Sequence, residues 1–594
     1  MDRQPPRSTS NAIDLYIRTY YSLLRSSGEV RVRSFEEAHA YSDSSLHTGA
    51  LGEDPDVAAF GYSAARLPES MTHVRRLVAG QSVEQFERAG LPVRGWTAVS
   101  TRGRRRPHRY DGNEILAVFV TSASDIDDLV PIVTAYQIEW NKMHARLAPS
   151  DLGRRLLRGD PLPPDDVLDR ELSQVLGLST HDAGSLRKAL GGAVDEGLRA
   201  IAGGPRDLRL RLLSGTLLEY RRATQRWWQS IETSYGERSG QGSGLGSGLG
   251  SGLGAGPPRP VYFVSSNTHA LCNLVGGYAR THLTRILDLA RERDIEGLGE
   301  RVTVAQRDGD EVELHNLAYY LLRHHITADP ARELERIAEV QAFDAECGIS
   351  TLSSPGHLDV TAQLFELRKM RYERLDPRVD VEGFERLADS DAVIINIDYP
   401  LGMAAYHHLT QLAQGVGEIR GIYVVGKAAT LNGRVGDIML STVAYDEHSQ
   451  NSYLFRNCFV AADVAPLVRY GTVLDNQKAL TVRGAFLQNR EYMNVFYREG
   501  YTVVEMEAGP FLSAIYEMVH PKRHPTDEVV HLSNLLPFDF GLLHYASDTP
   551  YSRRQSLLSK SLSYFGMDAT YGCAVATLQR ILRQEVARLR SVGP

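Results

Sequence analysis

Cysteine is scarce. The 594-residue chain has four, Cys272, Cys347, Cys458 and Cys573, far apart and with no CxxC pair, which argues against a disulfide framework and against a cysteine-based zinc site. A reducing compartment fits that usage. Long apolar runs are also missing: none approaches the roughly 20 residues of a membrane span. The opening stretch MDRQPPRSTSNAIDLY has no apolar core of the kind a signal peptide carries. The expected location is the cytoplasm, with no membrane partner. Charge of one sign is not in excess either. A formal charge of -7 with 23% charged residues gives no global attraction for nucleic acid, so any basic site is local. The pairs His324-His325 and His407-His408 turn their rings to different sides of a helix and do not chelate, so no metal is expected.

What is present is a soluble, globular composition, 42% hydrophobic, on a chain too long for one core. Residues 239–256, SGQGSGLGSGLGSGLGAG, read as a flexible linker or a disordered loop, because glycine and serine support no packed element. Upstream, Ile13, Tyr16, Ile17, Tyr20 and Leu24 recur at helical spacing. The run Ile115 to Val120 leads through Thr121, Ser122 and Asp125 into a helical series that includes Leu129, Val133 and Trp140. The same strand, polar turn and helix return after the linker at Val261 to Val264, Ser265 to Thr268, and Leu271 onward. Both are read as one α/β unit that the linker interrupts. Asp329-Pro330 is the expected start of a charged helix. The run TRGRRRPHRY, residues 101–110, reads as a solvated basic loop. The expected boundaries are a helix-rich α/β region over 1–238, the linker over 239–258, a continuation of the first region over 259–385, and a second domain over 386–594.

From Asp391 onward short branched apolar runs recur: Ala392 to Ile397, Gly421 to Val425, Ile438 to Val443, Thr502 to Val504 and Leu542 to Tyr545. Such runs suit strands covered on both faces, and helical segments fall between several of them. The expected class is α/β, with a largely parallel or mixed sheet flanked by helices and ligands at strand C-terminal ends.

Two polar segments close such strands. VVEMEAGPFLSAIYEMV places Glu505, Met506 and Glu507 between a strand and a helix, and Ser547-Asp548 follows Leu542 to Ala546. In this order they resemble the signature of the nucleoside phosphorylase superfamily. The resemblance implies that Met506 packs on a ribose, that Glu507 with Glu505 binds the sugar, and that Asp548 beside Ser547 protonates the leaving base. A carboxylate suits a vicinal diol because it accepts two charge-assisted hydrogen bonds. GIYVVGKAATLNGRVGDIMLST resembles the family's strand and glycine-bearing turn, which puts Gly426 and Lys427 near the nucleophile. YGTVLDNQKALTVRGAFLQNREY aligns with the segment ending in the base-stacking aromatic, here Phe486, with Arg483 as a phosphate ligand.

The chain departs from the family where phosphate is bound. Arginines expected after Pro400-Leu401 and before the glycine are Gly402 and Val424, and the residue after the glycine is Lys427. Inorganic phosphate as co-substrate and water as nucleophile both stay open, with no other cofactor. The implied activity is cleavage of the N-glycosidic bond of a purine-type nucleoside. The alternatives are nucleotide hydrolysis of the AMP nucleosidase type and a non-catalytic nucleoside-sensing or scaffold protein. A homo-oligomer is expected by resemblance.

Overall fold

Thr121 and Ser122 stop one strand and start the longest helix of the first region. The strand Ile115–Phe119 runs into the helix Ala123–Leu147 because the Asp125 carboxylate accepts from the Thr121 N–H at 2.6 Å and the Ser122 N–H at 3.2 Å. Those bonds close a helix start that otherwise leaves donors unpaired. The computed structural model describes residues 11–103, 106–213, 216–237, 259–352, 360–520, 525–534, 536–549 and 564–592. The Gly/Ser-rich stretch lies outside the described residues. No helix among them is long and apolar enough to cross a membrane.

Two sheets organise the chain. The first has six strands in the order Val30–Arg31, Arg209–Leu212, Arg76–Gly80, Ile115–Phe119, His108–Tyr110, Thr97–Val99. Helices Asn11–Ser26, Val57–Ala65 and Ala123–Leu147 cover it with Tyr16, Phe60 and Trp140 in the core. The second sheet has eleven strands and is mixed. Its central strand, Ile419–Thr430, pairs in parallel with Val261–Ser265 and Asp539–Asp548 and antiparallel with Val503–Glu505. Helices Ala404–Gly415 and Ala508–Val519 lie against one apolar core of this sheet, and Met567–Val592 against the other. The expected α/β class holds, with the mixed sheet preceded by a helix-rich α/β region.

The boundaries differ from the sequence reading in three places. Val261–Ser265 does not continue the first sheet: it lies between Val393–Ile397 and Ile419–Thr430 in the second. Strand–turn–helix grammar is local and does not say which sheet receives the strand, whereas five consecutive buried residues suit a central parallel position. Before the linker, the helix Leu217–Glu237 already belongs to the second core. Its Trp227 donates to the Val360 carbonyl at 2.9 Å and stacks edge-on to His408. Conversely, Phe486 and Leu487 leave the second sheet to join the first core. Asp329 closes a turn through the Ala331 N–H, and the helix begins at Glu333.

Among the described residues of the basic run, 106–110 do not form a solvated loop. Arg106 is buried and pairs with Asp125 at 2.9 Å and Asp128 at 3.0 Å, while Arg109 donates to the carbonyls of Val93, Arg94 and Trp96. Its described arginines hold turns and a helix start, which a charge count along the sequence cannot reveal.

Candidate active site

The strand Val503–Glu505 ends where the helix Ala508–Val519 begins, and Glu505 makes that junction. One Glu505 oxygen accepts from the N–H groups of Glu507 and Ala508, each at 2.6 Å, and the Thr481 hydroxyl donates to the other. Burial and the neighbouring Glu507 push the Glu505 carboxyl up. Glu505 therefore serves the helix start rather than a sugar, which corrects its expected substrate contact. Met506 is buried in a small cluster with Leu431, Tyr445 and Phe496. Glu507 is half-buried. Its Oε1 accepts from the Gly402 N–H at 3.2 Å and its Oε2 from the Met506 N–H at 3.3 Å.

Asp548 closes the strand Asp539–Asp548. Ala429 on the central strand pairs with Val504 on one side and Asp548 on the other, so the Glu505–Glu507 segment and Asp548 flank the same strand. Two interstrand steps span about 9–10 Å. The ladder slips between Ala428 and Ala429, which leaves Ser547 without a ladder partner. Ser547 Oγ lies 3.3 Å from Asp548 Oδ2 and 3.4 Å from the Ala428 carbonyl. Asp548 Oδ1 is buried and has no hydrogen-bond partner among the described residues. Burial pushes the Asp548 carboxyl up, opposed by the Ser547 hydroxyl and by the charges of Arg66 and Lys427. A carboxyl so placed holds its proton to higher pH than an exposed one.

The nucleophile side is built differently from the expectation. Gly426 sits inside the strand Ile419–Thr430, not in a turn, and the place of its missing Cβ is 3.1 Å from the Tyr399 ring. The close approach its hydrogen permits is that ring, whose hydroxyl donates to the Val425 carbonyl at 2.6 Å. Lys427 is exposed on the same strand and, two residues from Ala429, faces the same side of the sheet as Asp548. Val424 is buried in the apolar core.

Two expected ligands are committed to the protein. Arg483 lies 3.7 Å from Asp127 and 3.8 Å from Asp14, and its N–H donates to Glu447 at 3.1 Å. A guanidinium facing two carboxylates is not available as a phosphate cradle. Phe486 is 2% exposed, with ring centroids of Tyr62, His39 and His47 at 5.1, 5.9 and 6.0 Å. Those neighbours surround the ring that was expected to stack on a base.

Sequence reading missed the contribution of the first region. Arg66 caps the helix Val57–Ala65, and its guanidinium lies 3.4 Å from the centre of the Tyr62 ring. Ser122 and Ser124, at the start of Ala123–Leu147, meet the 401–403 loop. The polar turn at 121–125 was visible in the sequence, but nothing there ties it to residues nearly 300 positions away.

The fold and site define an α/β protein in which the Glu505–Glu507 segment and Asp548, whose carboxyl burial pushes up, flank one strand. The chain belongs to the family of unknown function DUF6909, whose model matches residues 32–583. No curated protein matches it. Solved structures similar in part include a protein of Weissella paramesenteroides described as a methylthioadenosine nucleosidase, with 11% identity over 41% of this chain and 92% of that one, TM-score 0.26. Another is a 5'-methylthioadenosine/S-adenosylhomocysteine nucleosidase from Colwellia psychrerythraea in complex with adenine, with 11% identity over 40% and 86%, TM-score 0.26. A third is a methylthioadenosine phosphorylase from an Antarctic soil metagenomic library, with 13% identity over 34% and 73%, TM-score 0.24. Scores this low leave function to be argued from the site.

Proposed function

We propose that the chain cleaves the N-glycosidic bond of a purine-type nucleoside or a close relative, with Asp548 as general acid and Glu507 on the ribose. The observation that supports this reading is the pairing of Val504 and Asp548 to one residue, Ala429, which sets the two carboxyl-bearing strand ends on either side of a single strand. Bond breaking leaves negative charge on the base and positive charge on the sugar. A proton held by half-buried Asp548 neutralises the first. The carboxylate of Glu507 accepts from the ribose hydroxyls, and catalysis requires that such contacts strengthen toward the transition state. Ser547 keeps one Asp548 oxygen oriented while the other remains for the base nitrogen.

A nucleotide substrate is the second reading, favoured by Arg66 and Lys427, whose charges both act on Asp548. The nucleophile is water or phosphate. Gly402 and buried Val424 supply no cation, so Lys427 is the cation that a phosphate would meet on this strand. The test is release of free base from a panel of nucleosides and mononucleotides, with and without phosphate, by wild type and Asp548→Asn. The variant is expected to lose about 10² to 10⁴-fold in turnover. A dependence on phosphate establishes phosphorolysis, and release without it establishes hydrolysis. Binding without release by the wild type would overturn the enzymatic reading in favour of a sensing protein.

A further inference from the structure

Gly402 is a residue with no side chain in a place where no side chain fits. Its φ is +52°, and an ideal Cβ there would lie 2.3 Å from Ser124 Oγ and 2.7 Å from Ser124 Cβ. Ser124 comes from the first region and is fully buried. Its hydroxyl oxygen accepts from the Met403 N–H at 2.9 Å, while the adjacent Gly402 N–H donates to Glu507 Oε1 at 3.2 Å. Two consecutive peptide N–H groups of one short loop are thus claimed from two directions, one by the helix start of the first region and one by Glu507.

The helix start is itself firmly held. Arg106 pairs with both Asp125 and Asp128, and Asp125 closes the preceding turn. Asp127 faces Arg483, and the place of the missing Cβ of Gly484 is 3.0 Å from the Asp127 carbonyl. Residues 124 to 127 therefore touch the second region both at 402–403 and at 483–484.

We infer that Ser124 is a positioning residue for the site: it fixes the 401–403 loop so that the Gly402 N–H holds the Glu507 carboxylate in the orientation that meets the sugar. The functional part of this inference rests on the glycosidic reading. A carboxylate that is free to rotate meets a vicinal diol less often in the two-bond geometry, and the loss falls on substrates that carry the 2'-hydroxyl. The occupied space also explains the missing arginine: at position 402 a side chain would collide with Ser124.

The experiment uses the full chain and Ser124→Ala. Amide hydrogen exchange over residues 400–404 is expected to quicken about fivefold in the variant, as the loss of one hydrogen bond predicts, with the melting temperature lowered by no more than about 1–2 °C. The ratio of kcat/KM for a ribonucleoside to that for its 2'-deoxy counterpart is expected to fall by about fivefold, chiefly through KM. A merely structural role would lower both substrates equally and leave the ratio intact. Exchange unchanged at Gly402 and Met403, or an unchanged ratio in an active variant, overturns the inference. Quickened exchange in a protein whose wild type releases no base supports the loop-holding role and overturns the glycosidic reading instead.

Discussion

Lowering the pH below 6.5 should unfold this protein in a way set by its buried rings. Seven histidines, His39, His108, His315, His325, His407, His408 and His544, are held by burial below their ordinary value, His108 to about 3 and the last four to about 4. Both ring nitrogens of His108 and one each of His325, His408 and His544 are buried without hydrogen-bond partners among the described residues, so burial outweighs what neighbours such as the Ala404 carbonyl beside His408 and Glu339 near His325 return to the charged form. In the unfolded chain these rings charge near 6.5. Below that pH the unfolded state binds more protons, and stability falls with acidification. Four carboxyls act oppositely. Burial raises Asp344 to about 7 and Glu447 to about 8, Glu505 is raised by burial and by Glu507, and Asp548 is raised by burial. The native state keeps protons that the unfolded chain has released, so their contribution is present at low pH and fades as pH rises through 7–8.

Between about 4.5 and 6.5 the seven histidines outweigh the four carboxyls by a net difference of at most about three protons, or up to about 4 kcal/mol per pH unit. A margin of about 5–15 kcal/mol is then consumed within roughly two to three units. Above 6.5 only the carboxyls change, and stability falls gently. Urea midpoints followed by circular dichroism at fixed ionic strength from pH 4.5 to 8.5 should peak near 6.5, with the steeper limb on the acid side. His544→Leu should make that limb shallower by about 1.4 kcal/mol per unit. Midpoints that stay flat between pH 5 and 6.5, or that keep rising beyond pH 8, would refute the reasoning.

Arg106→Met removes the partner of two buried aspartates and should cost about 3–5 kcal/mol, read as a shift in the urea midpoint; a loss below about 1 kcal/mol would show that water reaches Asp125 and Asp128. Phe486→Ala should cost about 3–5 kcal/mol, because the cavity opens among Tyr62, His39 and His47, inside the first core. On the proposed glycosidic reading, in which Asp548 is the general acid, kcat/KM should fall as pH rises through its raised pKa. That basic limb should lie above the ordinary carboxyl range and disappear in Asp548→Asn, with pH-rate profiles as the check.

The strands named from the sequence were legible because each is a short, branched run, while others, such as Arg76–Gly80, Ala362–Glu366 and Val473–Thr481, were not named; the candidate site's two carboxyl segments stand at strand ends, as their order suggested. Placement of a strand within a sheet was not. Val261–Ser265 carries no mark that separates the first sheet from the second, since a buried parallel strand looks alike in either. The roles assigned to Arg483, Phe486 and the basic run failed for another reason. Their partners, Asp127 and Asp14, Tyr62 with His39, and Asp125 with Asp128, lie on other elements, and a charge or ring seen alone reads as available. Glu505 shows the converse: the same carboxylate that resembles a sugar ligand is the natural acceptor for a helix start two residues later.

The partners of Arg483 and Phe486 lie across the junction of the two sheets, and the candidate site is made at that junction. The segment that follows the strand Val473–Thr481 passes Arg483 to Asp127, Phe486 and Leu487 into the first core, and Asn489 to the Ser42 carbonyl at 3.0 Å. The start of Ala123–Leu147 returns the contact by meeting Gly402 and Met403. Neither crossing is a surface resting on a surface: each buries charge or polar backbone that only the other half satisfies. Separating the halves would take Asp127 and Asp14 from Arg483 and leave the Met403 N–H without its acceptor, and buried groups of that kind cost more unpaired than they gain when paired. The first region is in this sense a wall of the site, and any account of what binds beside Glu507 and Asp548 has to include Ser124 and Arg66.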